Sequence, residues 1–447
     1  MAAASMPAAT AEKTWLERLL GLAAEVRPGE AGTVLLLALN GFLILAAYYI
    51  IRPLREVFIL AVPGGAEIRA YTGAMMAGLF LFIVPGYGVL ATKVSRIRLI
   101  NWVTLFFASN LVLFMLVDRA GVQLGVPFFL WVGIFNLVVV AQFWSFANDL
   151  YTPEAGRRLF AIVGFGGTAG ATAGAAVAGA MIQSPGPGVM MLAAAGILVA
   201  CLALSNVIHG REKHRAAGVR RKQAEEPLGA EGGFQLVIRH RYLLLIALLT
   251  LAVNLVNTNG NYIQARTVSE VARQSVTEGS AGGRTEKDII GGYYANTDLY
   301  QNVLVAILQF FLVSRIFKYL GVGGSLFVMP LVSLCSYGLF AAAPILALIR
   351  LAKILENSID YSLQGTVRRA LFLPTSREAK YKALQAVETF FWRAGDMLSG
   401  LAVFLGPRLL RMGTRSFAGV NLGLVAAWLL LAAGVSRENR KLTAAPR

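Results

Sequence analysis

The chain has 447 residues, of which 57% are hydrophobic and 15% are charged, and its mean hydropathy is +0.63. A soluble globular protein needs a largely polar surface and has no room to bury that much apolar side chain. The net charge of +17 would point to nucleic acid if the protein were soluble. Here the basic residues lie mostly in connectors between apolar runs, as the positive-inside rule requires. The composition therefore predicts an α-helical membrane protein and excludes a nucleic-acid-binding one.

Twelve apolar runs have about the 20 residues that an α-helix needs to cross a bilayer. They lie at 32–51, 69–91, 98–117, 125–148, 159–182, 187–208, 242–263, 291–313, 323–342, 344–367, 384–405 and 416–435. The segment 14–26 before them is typical of an amphipathic helix lying on the membrane surface.

A polar, strongly basic stretch separates the first six runs from the last six. We predict an N-terminal interfacial segment at 1–31, a six-helix bundle at 32–208, a cytoplasmic linker at 209–241, a second six-helix bundle at 242–435 and a cytoplasmic tail at 436–447. Basic residues follow the even-numbered spans, which predicts that both termini are cytoplasmic in a bacterial inner membrane. Arg408, Arg411 and Arg415 conflict with this orientation, since they fall on the outer side.

The two sets of runs repeat each other in sequence. The tetrapeptide VSRI stands at 94–97 and again at 313–316, after spans two and eight. Spans one and seven also overlay at a shift of 214 residues, which aligns Ala38 with Ala252, Asn40 with Asn254, Tyr48 with Tyr262, Arg52 with Arg266 and Glu56 with Glu270. These matches predict two parallel six-helix halves in a pseudo-symmetric 6+6 bundle, as in major facilitator transporters.

Four charged residues lie within the tenth run and, at steps of three or four, share one broad face of a helix. Each charge near the bilayer centre costs about 2.5–3.5 kcal/mol, so these side chains are expected to avoid lipid. They form either an internal salt-bridge ladder or a surface that handles substrate or ions. The residues are Arg350, Lys353, Glu356 and Asp360.

Arginines stand at the end of span one and, by the repeat, of span seven. Arg52, Arg55 and Arg266 are either interfacial anchors or contacts for an anion, because a guanidinium donates two parallel hydrogen bonds to phosphate or carboxylate. Span seven is rich in amides near this end, which either bind a solute or join helices. In span eleven, Arg393 and Asp396 lie one turn apart and are expected to pair. The glycine-rich span five is expected to pack closely on another helix.

Short motifs resemble the ATP/ADP antiporters of plastids and obligate intracellular bacteria, which are relatives of the major facilitator fold. The motifs are RPLREV at 52–57, similar to the family's R-x-T-K-D-V, FWSFAND at 143–149, similar to FWGFAN, NLV at 254–256 and YSL at 361–363. The resemblance implies twelve spans, a central cavity lined by spans one, four, seven and ten, and nucleotides as cargo.

The resemblance implies that Arg55 stands where the family has an essential lysine, so the positive charge is kept. Asn257 stands where the family has a glutamate, and apolar residues near Val132 replace another one. The family's span-ten lysine matches Asp360 or, in a different register, Arg368.

The sequence therefore predicts a nucleotide-exchanging membrane transporter that works by alternating access. The alternatives are a proton-coupled symporter that uses Glu356, Asp360 and Asp396, or a membrane assembly protein without transport activity. No enzymatic residue set, cofactor or metal site is predicted. The expected partners are an anionic small molecule and the lipid bilayer, without nucleic acid, and the sequence leaves the oligomeric state open, a monomer being compatible with it. The candidate substrate-binding residues are Arg52, Arg55, Asn257, Asn261, Tyr262, Arg266, Arg350, Lys353, Glu356, Asp360, Tyr361 and Arg368.

Overall fold

The computed structural model describes residues 26–27, 29–151, 153–215, 233–376 and 383–444, together with residues 15 and 379. Most of the predicted surface helix 14–26 and the central part of the linker lie outside these residues. The described residues form helices and turns without any strand, which confirms the predicted all-α class.

The first half consists of six long helices joined by short connections, because each apolar run satisfies its own backbone hydrogen bonds only as a helix. They are α1 (Ala31–Leu60), α2 (Gly65–Lys93), α3 (Arg96–Arg119), α4 (Gly125–Leu150), α5 (Pro153–Met181) and α6 (Pro187–Arg215).

The second half contains more interrupted helices. After a short helix at Gly233–Arg239, it comprises α7 (Arg241–Thr277), α8 (Glu286–Ile307, a π turn at Leu308–Leu312, and Val313–Ser325), α9 (Val328–Ala342), α10 (Leu346–Ile359, a π turn at Asp360–Gln364, and Gly365–Leu371), α11 (Leu384–Ala386, a π turn at Val387–Phe391, and Trp392–Leu409) and α12 (Thr414–Ala444). Such π turns occur often at functional sites.

Among the described residues, eight helices are long and apolar enough to cross a membrane by themselves. A ninth span results if the segments Arg315–Ser325 and Val328–Ala342, which meet at 77°, are counted as one. The first part of α8, together with α10 and α11, falls short of this test of length and hydropathy. These helices are divided by π turns or carry many polar residues, so hydropathy alone understates the number of spans.

The packing of the helices repeats after six helices. In the first half α1 packs against α4, α5 and α6, and α3 against α6; in the second half α7 packs against α10, α11 and α12, and α9 against α12. Between the halves, the pairs α5–α8 and α1–α8 are matched by α11–α2 and α7–α2. The chain therefore forms the predicted pseudo-symmetric bundle of six plus six helices.

The tightest helix contact joins the glycine-rich face of α5 to α1. Gly166, Gly170 and Gly174 recur every four residues, and a methyl group on any of them would overlap the backbone of α1. This confirms that the glycines of span five serve close helix packing.

Replacing Gly170 by alanine is expected to destabilise the first half by about 1–3 kcal/mol, because the added methyl group overpacks a rigid backbone contact. The matched control is Gly164→Ala on the same helix, where the new methyl group meets nothing within 4 Å. Thermal unfolding of purified protein in detergent measures both, and equal midpoints for the two variants would contradict the contact.

Candidate functional site

A polar cavity of about 290 Å³ lies between the two halves and is lined by α1, α2, α4, α7, α8, α10 and α11. A larger cavity of about 470 Å³ between α1, α4, α5 and α8 has mainly apolar walls and offers no charged partner for a polar solute. Six of the predicted site residues line the polar cavity: Arg52, Arg55, Asn257, Asn261, Tyr262 and Tyr361.

Two arginines in the cavity share a single carboxylate. Arg55 donates to Oε1 of Glu56 at 2.7 Å, and Arg69 of α2 donates to both oxygens of the same side chain. Phe129 of α4 lies against both guanidinium groups, with ring-centroid distances of 4.6 and 5.8 Å. Since two positive charges face one negative charge, this trio leaves one positive charge without a counter-charge inside the trio.

Arg69 and Glu56 were not among the predicted site residues. Arg69 begins the second apolar run, where a charge is typical of a membrane interface, and Glu56 follows Arg55 directly at the end of span one. Nothing in the local sequence indicates that the two side chains meet across the α1–α2 turn.

An ion pair connects the two halves at the cavity wall. Arg52 of α1 lies 3.2 Å from Asp298 of α8, and both side chains are largely buried. Arg52 also lies 5.1 Å from the ring centroid of Tyr49. The charge of Arg52 is therefore balanced, unlike that of the trio.

The opposite wall presents amides and a second balanced ion pair. Asp396 of α11 accepts hydrogen bonds from Asn254 and Thr258 of α7 at 2.8 and 2.9 Å. It also lies 3.2 Å from Arg393, which confirms the pairing expected from the sequence. This carboxylate is satisfied by three partners and is poorly suited to bind a further cation.

The charged face of α10 lies behind the cavity wall rather than in it. Lys353 donates to Asn257 at 2.7 Å and lies 3.4 Å from Glu356. One π turn further on, Asp360 pairs with Arg368 at 3.3 Å. The guanidinium of Arg368 also lies 4.6 Å from the Trp392 ring, which lines the cavity. The structure therefore shows the pairing of charges expected for a salt-bridge ladder, and these charges also contact residues of the cavity wall.

The structure places the other two predicted arginines away from the cavity. Arg266 does not line the cavity; it pairs with Glu270 at 2.8 Å and donates to the hydroxyl of the cavity residue Tyr262 at 3.3 Å. Arg350 lies between Tyr293 and Tyr300 of α8, at 5.5 and 5.4 Å from their ring centroids.

The bundle end that carries the α1–α2 and α7–α8 connections, called here the loop end, is closed by contacts between the halves. Tyr262 of α7 donates to Oε1 of Glu67 of α2 at 2.9 Å. Nearby, Gly291 of α8 packs tightly against Ile182, just beyond α5. These contacts join the two halves between the cavity residue Tyr262 and the loop end.

Tyr262→Phe is expected to shift the protein towards states that are open at the loop end. The change removes the hydrogen bond to Glu67 but keeps the aromatic contact with Phe417, and a hydrogen bond to a charged group contributes about 1.5–3 kcal/mol. Distances between spin labels in turns 61–64 and 278–283 measure the shift. The control is Tyr319→Phe, which changes a side chain that is 77% exposed. If the distances in Tyr262→Phe were unchanged, the hydrogen bond between Tyr262 and Glu67 would not hold the halves together.

Solved structures of several transporters share this fold. A POT family transporter, PepTSo, has a TM-score of 0.64 at 11% identity, over 91% of this chain and 98% of that one. The nucleoside transporter NupG has a TM-score of 0.61 at 11% identity, over 93% and 100%. A bacterial homolog of the human lysosomal transporter Spinster, inward-facing and unoccupied, has a TM-score of 0.59 at 14% identity, over 93% and 98%.

At the sequence level, no protein-family model matches the chain, and no curated protein matches it either. The structural similarity extends over nearly the whole chain and over nearly the whole length of each of these proteins, all of which are transporters. The chain therefore has the fold of major facilitator transporters and is a multi-pass membrane protein.

Proposed function

We propose that this protein transports a small organic anion by alternating access, and that nucleotides are the first class of cargo to test. The observation that carries the proposal is the trio Arg55, Arg69 and Glu56, in which two guanidinium groups share one carboxylate at the cavity wall. An anion supplies the missing negative charge, and the planar forks suit phosphate or carboxylate oxygens.

The rest of the cavity suits the organic part of such a substrate. Asn257 and Asn261 of α7 offer hydrogen bonds, and Tyr48, Tyr361 and Trp392 offer aromatic faces. The volume of about 290 Å³ is near the lower limit of ordinary ligand pockets, about 300–1,000 Å³, so it favours a compact solute. The short motifs that resemble those of the ATP/ADP antiporters support a nucleotide.

The charge of the empty cavity favours exchange over one-way transport. Rearranging the halves around an unbalanced buried charge is costly, whereas a bound anion balances it. The loaded protein is therefore expected to change its conformation more readily than the empty one.

The distribution of basic residues supports a bacterial inner membrane with both termini in the cytoplasm. In that orientation the loop end is periplasmic. The contacts that close the loop end then correspond to a state whose cavity is accessible from the cytoplasm.

Reconstitution into ADP-loaded liposomes tests the proposal, with uptake of labelled ADP, ATP and AMP as the measurement. Rapid uptake into loaded but not empty liposomes is the expected result. If the protein exchanged another organic anion but no nucleotide, it would still be an anion transporter, and nucleotides would be excluded as its cargo. If a folded protein exchanged no organic anion at all, the proposed function would be wrong.

A further inference from the structure

Tyr294 of α8 carries a buried hydroxyl group in the wall of the polar cavity. Its side chain is only 8% exposed, and its hydroxyl oxygen has no hydrogen-bond partner among the described residues. The neighbouring Tyr293 differs, because its hydroxyl accepts a hydrogen bond from Gln264 at 3.2 Å. A buried hydroxyl without a partner costs free energy unless a ligand satisfies it. The Tyr294 hydroxyl is therefore available to a solute bound in the cavity.

The contacts between α1 and α8 place Tyr294 level with the trio. Before Tyr294 on α8, Gly291 packs so closely that a methyl group there would overlap Val57 of α1. After Tyr294, Asp298 lies 3.2 Å from Arg52 of α1. Tyr294 stands between these two contacts on α8, as the two trio residues of α1 stand between them on α1. The charges that act on its hydroxyl are accordingly those of the three trio residues.

The trio and Tyr294 belong to different halves of the bundle. Arg55, Glu56 and Arg69 lie on α1 and α2, so the trio stays assembled when the halves move apart at the loop end. Tyr294 moves with α8 and the second half. An anion held by the two arginines can therefore reach the Tyr294 hydroxyl only while the loop end is closed.

We propose that Tyr294 is a substrate-binding residue whose hydroxyl donates a hydrogen bond to the anion held by Arg55 and Arg69, so that the bound anion joins the two halves. This inference rests on the proposed function, because it adds a ligand to the same anion site. A ligand shifts a conformational equilibrium only by the difference between its affinities for the two states. The bond to Tyr294 supplies that difference, since the two arginines hold the anion in both states.

Three donors on three helices also indicate the chemical group that binds between them. A phosphate group offers three acceptor oxygens that point in different directions, whereas the two oxygens of a carboxylate lie in one plane. The site formed by Arg55, Arg69 and Tyr294 therefore suits the phosphate end of a substrate.

Saturation binding of labelled ADP and of labelled inorganic phosphate measures the contact with Tyr294. Tyr294→Phe should bind both roughly 10- to 100-fold more weakly, because it removes one hydrogen bond to a charged group. The unfolding midpoint of the empty variant should not fall, since the hydroxyl has no partner to lose. The control Tyr300→Phe, at a side chain of the same helix that is 56% exposed, should bind like the unaltered protein. Equal affinities for the two variants, or a lower midpoint for empty Tyr294→Phe, would overturn the proposal.

Spin-label distances between turns 61–64 and 278–283 measure the closure of the loop end. Saturating ADP should shift the unaltered protein and Tyr300→Phe towards the short distances of the closed state, and should leave the distances in Tyr294→Phe nearly unchanged. An equal shift in Tyr294→Phe would refute the bridge between the halves and leave the anion transporter intact. If the unaltered protein bound neither ADP, phosphate nor any other anion, the proposed function would be wrong and this inference with it.

Discussion

Arg55→Ala is expected to lower the affinity of the protein for its anion roughly 10- to 100-fold, since a hydrogen bond to a charged group contributes about 1.5–3 kcal/mol. Without this guanidinium, Arg69 and Glu56 form a simple balanced pair and the cavity loses the charge that attracts an anion. Saturation binding of labelled nucleotide to purified protein measures the effect, and counter-exchange in liposomes measures its consequence.

Two further variants control this experiment. Arg55→Lys keeps the positive charge and reproduces the residue of the ATP/ADP antiporters, so it should retain most of the binding. Arg408→Ala removes an arginine near the end of α11 that does not line the cavity and that stacks on Phe404. Equal affinities for Arg55→Ala and Arg408→Ala would show that the trio does not bind the anion.

Glu56→Ala is expected to have the largest effect on stability, about 3–5 kcal/mol, because it leaves two buried guanidinium groups without their shared carboxylate. The midpoint of thermal unfolding should fall well below that of the unaltered protein. The matched control is Glu270→Ala, which breaks a pair whose side chains are 29% and 59% exposed. Exposed pairs contribute no more than about 1 kcal/mol.

The Glu56→Ala variant also reports on anion binding. A phosphate or nucleotide that binds between Arg55 and Arg69 replaces the missing carboxylate, so it should raise the unfolding midpoint of the variant more than that of the unaltered protein. Equal shifts in the two proteins would indicate that the anion binds elsewhere. A midpoint equal to that of Glu270→Ala would contradict the role of Glu56 as the shared counter-charge.

The fold was largely predictable from the sequence. Twenty-residue apolar runs form helices because unpaired backbone groups are too costly in lipid, whatever the neighbouring helices are. The internal repeat predicted two similar halves, because duplicated sequences pack their helices in the same pairs. The boundaries of α8, α10 and α11 were less predictable, since π turns depend on local packing rather than on hydropathy.

The candidate site was predictable only in part. Arg52 and Arg55 stood out because charges at the outer end of a span conflict with the positive-inside rule. Arg266 matched Arg52 in the overlay, yet it pairs with Glu270 on its own helix and does not line the cavity. Lys353 and Glu356 were recognised as charges within a span, but not as residues that pair behind the cavity wall.

The sequence by itself determined the class of protein, the number of its spans and the presence of buried charge. These follow from the free energy of transferring side chains and backbone from water to lipid, which depends on the sequence of each segment alone. Only the tertiary structure decided which charges balance each other. Arg69 meets Glu56 across a turn, and Asp298 meets Arg52 across the two halves, because a charge is balanced by whatever packs within a few ångströms of it.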